Sequence, residues 1–154
     1  MTDEQTIISA VIDRLKLIKT DDGYLTDLGD LVEDWNDETI PSGTPSYVEV
    51  RDPETNFLKP GDQGFLVKAH KQKMTLEISA QFEKQKIPVG RNAVKDIYKM
   101  IGINKWWFWD NHQVIFRPVK HVKDVVKEDR TYIGVKVILE AEFITHEWGV
   151  EEEV

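Results

Sequence analysis

Four histidines, His70, His112, His121 and His146, are where acid–base or metal chemistry would first be sought, and their spacing supports neither. None stands three or four residues from another on a helix, and none lies in a His-Glu-x-x-His pattern. They read as surface or structural residues. The serines Ser9, Ser42, Ser46 and Ser79 include no Gly-x-Ser-x-Gly elbow and have no histidine close in sequence. The absence of cysteine removes thiolate nucleophiles, disulfides, iron–sulfur clusters and Cys-zinc sites. Asp34-x-Asn36-x-Glu38 imitates the opening of a calcium loop, but Thr39 stands where the loop needs glycine and Pro45 where it needs a bidentate glutamate. Gly61-Asp62-Gln63-Gly64 lacks the Lys-Ser/Thr that a phosphate loop requires, and Val89-Gly90-Arg91 has a single glycine. No catalytic, cofactor-binding or metal-ligating residue is therefore expected, and the chain does not read as an enzyme.

Aromatic and charged residues are more informative. Lys105-Trp106-Trp107-Phe108-Trp109 sets four aromatics side by side. In a strand, Trp106 and Phe108 face one way while Trp107 and Trp109 face the other, so one pair can enter a core and the other must meet solvent or a partner. Core packing, a subunit interface and stacking on single-stranded nucleic acid all accommodate the pattern. Trp148, beside Gly149, is a further anchor for the C-terminus. Charge is unevenly spread: residues 1–58 carry 4 basic and 14 acidic groups, residues 59–127 carry 14 and 6, and residues 128–154 carry 2 and 8, giving −8 overall. A basic middle between acidic ends suits phosphate contacts or the meeting of unlike surfaces on neighbouring subunits, and the overall acidity favours the second.

These residues need a scaffold, and 154 residues suffice for one domain. At 40% apolar and 10% aromatic the composition is that of a globular chain. No apolar run approaches the roughly 18 residues of a membrane span, and Met1-Thr2-Asp3-Glu4 is acidic where a signal peptide is basic. Neither membrane association nor secretion is expected. Ile7, Ile8, Val11, Ile12, Leu15 and Ile18 predict a helix over residues 3–19, with Thr2 and Gln5 at capping-box spacing and Asp21-Asp22-Gly23 as its exit. Val94, Ile97, Tyr98 and Ile101 predict a second helix from about Asn92 to Ile101, ended by Gly102. Alternation of Met74, Leu76, Ile78, Ala80 and Phe82, and of Ile133, Val135, Val137, Leu139, Ala141 and Phe143, predicts two antiparallel strands; Lys136, Glu140 and Glu142 are assigned to the solvent face. Shorter strands are predicted at Tyr47–Arg51 and Val114–Val119, with Pro118 near the end of the latter. Residues 52–66, with Pro53, Pro60, Gly61 and Gly64, read as a long loop or the arm of a hairpin. Leu28, Leu31, Val32 and Trp35 fit either a helix or an extended edge. The fold class is α+β: two main helices on a largely antiparallel or mixed sheet.

The helix Ile7–Ile18, then Gly23-Tyr24-Leu25-Thr26-Asp27-Leu28-Gly29 leading to Val32, then Pro45 before Val48-Glu49-Val50, and the later strand, helix and strand ending at Phe143-Ile144-Thr145 form a recognisable order. It resembles the tail terminator, or tail completion, proteins of long-tailed bacteriophages and prophages. The most specific piece is the Gly23-Tyr24-x-Thr26-Asp27-x-Gly29 stretch after the first helix. The likeness spans roughly Ile7 to Thr145; the chain departs from it in the tryptophan-rich segment and in the short acidic tail of about residues 146–154. It implies a virion structural protein that forms a homo-oligomeric, hexameric ring, caps the tail tube, ends its polymerisation and provides the surface for head–tail joining. Its implied partners are copies of itself, the tail tube protein and head–tail connector proteins, with no cofactor and no membrane; its implied place is the virion tail, assembled in the host cytoplasm. Another connector or neck subunit is the alternative, and a nucleic-acid-binding α+β module is the alternative from a different class.

Within that frame Gly23, Tyr24, Thr26, Asp27 and Gly29 are structural: Gly23 supplies a left-handed exit and Tyr24 covers the adjoining core. A basic surface drawing on Lys68, Lys71, Lys73, Lys84 and Lys86, together with Trp107 and Trp109, is the candidate subunit or tube interface. Lys71 and Lys73 lie in no apolar stripe, so their reversal to Glu is expected to leave the monomer folded.

Overall fold

The apolar stripe near the N-terminus forms a helix, because burying it on a sheet offsets the cost of ordering so short a segment. The computed structural model describes residues 4–36, 44–57, 69–83, 87–102, 106–109, 112–127 and 131–146. Helix α1 spans Glu4–Leu15 and buries Ile7, Ile8, Val11 and Leu15. It stops at Leu15 rather than Lys19, because the next amides reach back three residues: Leu17 N–H bonds the Arg14 carbonyl and Ile18 N–H that of Leu15. The tighter turn still delivers Ile18 to the core, fully buried. Asp21-Asp22-Gly23 therefore closes a separate 3-10 turn, Thr20–Asp22, not α1 itself. Thr2 lies outside the described residues.

Helix α2 spans Ile87–Ile101 and begins earlier than the predicted Asn92. Pro88 sits in the first turn, where a backbone N–H has no partner within the helix, so a residue that looks like a breaker is tolerated. Ala93, Val94, Ile97, Met100 and Ile101 form the buried face, and Gly102, at φ +66°, ends the helix as expected.

The strands are β1 (Val32–Asp34), β2 (Ser46–Phe57), β3 (Ala69–Glu83), β4 (Trp106–Trp109), β5 (His112–Lys127) and β6 (Thr131–His146). They form one mixed sheet in the order β1-β2-β3-β6-β5-β4; β1 runs parallel to β2 and every other neighbouring pair is antiparallel. The α+β class read from the sequence is what the structure shows. Val48 opposite Ala80, and Leu76 opposite Leu139, put the apolar halves of β2, β3 and β6 on one face. That face packs with both helices into a single apolar cluster.

The structure decides two alternatives that the sequence leaves open and changes one expectation. Residues 52–57 are not loop: β2 continues to Phe57 and pairs with β3, Glu54 opposite Thr75 and Phe57 opposite Gln72, so the hairpin-arm alternative holds. Pro53 falls in the register shift between Arg51 and Glu54, where its missing N–H disturbs no ladder bond. Residues 58–68 lie outside the described residues. Pro118 lies in mid-strand rather than near an end, at a second register shift between Pro118 and Lys120, and β4 pairs only with His112–Ile115. Leu28–Asp30 is a 3-10 turn that feeds β1, which makes the stretch to Trp35 an extended edge and not a helix.

Candidate assembly surface

The Gly23–Gly29 stretch is a structural clamp. Gly23 adopts φ +90° and its N–H bonds the Thr20 carbonyl at 3.2 Å. A side chain there would be strained, although no atom would obstruct it. Tyr24 packs partly buried against the core, and the Lys99 ammonium lies 4.8 Å from its ring centre. Asp27 accepts bonds from Thr20 N–H (2.8 Å) and Thr20 Oγ1 (3.0 Å), and these lower its carboxyl pKa. Gly29 N–H bonds the Ile18 carbonyl at 2.8 Å. A Cβ at Gly29 would collide with the Lys16 carbonyl and stand 2.9 Å from that of Ile18, so the loop crosses the end of α1 too closely for any side chain.

The residue that holds this clamp, Asp96 of α2, was absent from the sequence reading. Its carboxylate is 2% exposed and accepts from Leu25 N–H (3.0 Å), Thr26 N–H (2.8 Å) and Thr26 Oγ1 (2.5 Å). The signal was present: Asp96 lies three residues after Ala93 and four before Met100, a lone charge in the buried helix stripe. Such a charge needs donors, and a loop supplies them.

The proposed interface residues divide. Trp107 is a correction: it is 3% exposed, donates Nε1–H to the Ile101 carbonyl at 2.9 Å, packs on Phe116 at 4.4 Å between ring centres and lies beneath the Arg14 guanidinium at 3.7 Å. It belongs to the core because its strand position faces the helices, opposite Val114. The side chain of Trp109 lies outside the described residues, as do Lys68, Lys84 and Lys86.

Lys71 and Lys73 stand on the sheet face away from the helices, each already engaged. Lys71 Nζ is 2.6 Å from Glu142, Arg117 makes a close ion pair with the same carboxylate, and Lys73 is 3.8 Å from Glu140. Glu142 is thus a second correction. Assigned to the solvent face, it is 6% exposed, because Lys71 and Arg117 cover it. Burial, the largest single influence, would raise its carboxyl pKa; hydrogen bonds and charge from Lys71 and Arg117 together outweigh burial and hold it below the ordinary carboxylate value. On the same face Tyr47 bonds the buried Glu49 at 3.1 Å, and Arg51 pairs closely with Glu49. Burial pushes the Tyr47 phenol up to about 12.

Two ends of the sheet remain more open. At the β5 end, every residue from Arg117 to Asp124 is exposed, on both faces of the strand, with Val119 57% and Val122 48% accessible. At the β1–β2 end, Trp35 beside the acidic β1 residues Glu33 and Asp34, and Phe57 at the far end of β2 beyond Asp52 and Glu54, are each about half exposed. No cluster of three or more metal-ligating side chains exists among the described residues.

No protein-family model matches the chain, and no curated protein matches it in sequence. Among solved structures it is similar to a chain from the virion of a native gene transfer agent particle: TM-score 0.64, 11% identity, 90% of this chain and 95% of that chain covered. The two share a fold over nearly their whole lengths.

Proposed function

We propose that this chain is a phage-like virion structural protein, and specifically a tail terminator: a subunit that assembles with copies of itself into a ring, caps the tail tube, stops its growth and offers a surface to the head–tail connector proteins. The observation that carries the reading is the fold shared with a virion chain, because coverage of 90% and 95% leaves little of either chain unaccounted for. The sequence resemblance, which rests on the Gly23–Gly29 stretch and the order of elements, points to the tail independently. The unlike ends of the sheet add physical support, since a ring is built from heterologous contacts in which one surface meets a different one on the next subunit. On this reading the protein resides in the virion tail and is assembled in the bacterial host cytoplasm.

Deleting the gene from the phage or prophage that carries it tests the role. Tails of uncontrolled length signify a terminator. Tails of normal length that fail to join heads signify a connector or neck subunit instead. Salt-sensitive binding of a monomer to oligonucleotides, with normal particles in the deletion, would overturn both.

A further inference from the structure

We infer that subunits join edge to edge, with the exposed β5 edge of one copy meeting the acidic β1–β2 end of a second copy. The inference rests on the ring reading above and gives it a surface.

The β5 edge has three relevant properties. β4 covers only His112–Ile115, so from Val119 onward no described strand pairs with the outer side of β5. On that side its N–H and C=O groups meet no described strand. Val119 and Val122 present apolar area there. Finally, Lys120 and Lys123 make no ion pair with another described residue, whereas Arg117 is held by Glu142. Pro118, the extra residue at Val119 and the two lysines keep such an edge from pairing with an arbitrary strand. They leave it cationic, and so selective for an acidic one.

The opposite end of the sheet is acidic. β1 pairs only with Val48–Val50, so β2 from Arg51 to Phe57 has no described strand on its outer side. Glu33, Asp34, Asp52 and Glu54 lie along β1 and β2, where Arg51 pairs with Glu49 and its guanidinium lies 5.7 Å from the Trp35 ring centre. Burial, with the nearby charges of Glu4 and Asp34, raises the Asp52 carboxyl pKa. Trp35, level with Arg51, and Phe57, six residues further along β2, present apolar area at the two ends of this stretch. Because sheet order sets β1 and β5 toward opposite ends, the contact is head-to-tail, and repetition closes a ring if the rotation closes.

The full chain, free of cysteine, suits a cross-linking test. Val122→Cys and Phe57→Cys are made separately, mixed at high protein concentration and treated with a short bis-maleimide. Val122–Phe57 cross-links should exceed either homodimer. Charge reversal supplies the second measurement. Lys120→Glu/Lys123→Glu and Asp34→Lys/Glu54→Lys, each shown folded by circular dichroism, should self-associate about tenfold or more weakly than the wild type in sedimentation, and the two mixed should recover because their reversed ends match. Predominant Val122–Val122 linkage, unchanged association of both variants, or a wild-type chain that stays monomeric at every concentration would overturn the contact. Rings that cap tubes without the mixed cross-link would sink this surface and leave the tail role standing; the mixed cross-link without capping would do the reverse.

Discussion

At the scale of single residues, two buried carboxylates determine how the surface is held. Asp96 satisfies two backbone amides and a hydroxyl of the Gly23–Gly29 stretch. Asp96→Ala leaves those donors without a partner and should destabilise by about 3 kcal/mol, read by urea unfolding, against roughly 1 kcal/mol for Thr26→Val, which removes one hydroxyl. Glu142 makes stability depend on pH. Its folded carboxyl titrates below its unfolded value, so the unfolded chain takes up the proton first. The stabilisation is complete above about pH 5 and is lost as pH falls through the folded pKa. Glu142→Gln should flatten the difference in urea midpoint between pH 7 and pH 3. Lys71→Glu would set a second carboxylate beside Glu142 and cost about 1–2 kcal/mol after solvent screening, a loss of stability that circular dichroism and urea unfolding would read beside the expected folded monomer. Residues of this kind were hard to read because an alternating strand assigns Glu142 to solvent, and only the register with Lys71 and Arg117 reveals that it is covered.

At the scale of elements, the alternating strands and both apolar stripes were legible because burial imposes their periods directly. Boundaries were less so. Pro88 and Gly90 look like breakers but lie inside α2, and Pro53 and Pro118 look like strand ends but lie at register shifts. A local rule cannot anticipate a proline whose missing N–H falls where pairing is already interrupted. The aromatic run was read as offering one pair to the core, and Trp107 is the member shown buried there. Trp107→Ala should cost about 3–5 kcal/mol, since it empties the space between Ile101, Phe116 and Arg14. Gly29→Ala should destabilise by more than Gly23→Ala, because the first meets two fixed carbonyls and the second only a strained φ; paired thermal melts decide this.

At the scale of the whole molecule, sheet order has a consequence for how the protein is made. β3 and β6 lie side by side at the centre of the sheet, paired from Ala69–His146 to Glu83–Tyr132, yet β6 is the last of the six described strands in chain order. During vector-wise synthesis β2–β3 and β4–β5 can close as local hairpins, but each then exposes an unsatisfied inner edge until β6 emerges and inserts between them. A chain ending before Thr131 should therefore lack cooperative unfolding and aggregate, whereas the full chain should refold in one slow, concentration-independent phase by stopped-flow fluorescence of its tryptophans. Insertion of β6 is then the step that separates nascent chain from competent subunit. On the proposed tail-terminator reading, a subunit that ends the growth of a polymer would thus be kept from joining one until β6 is in place.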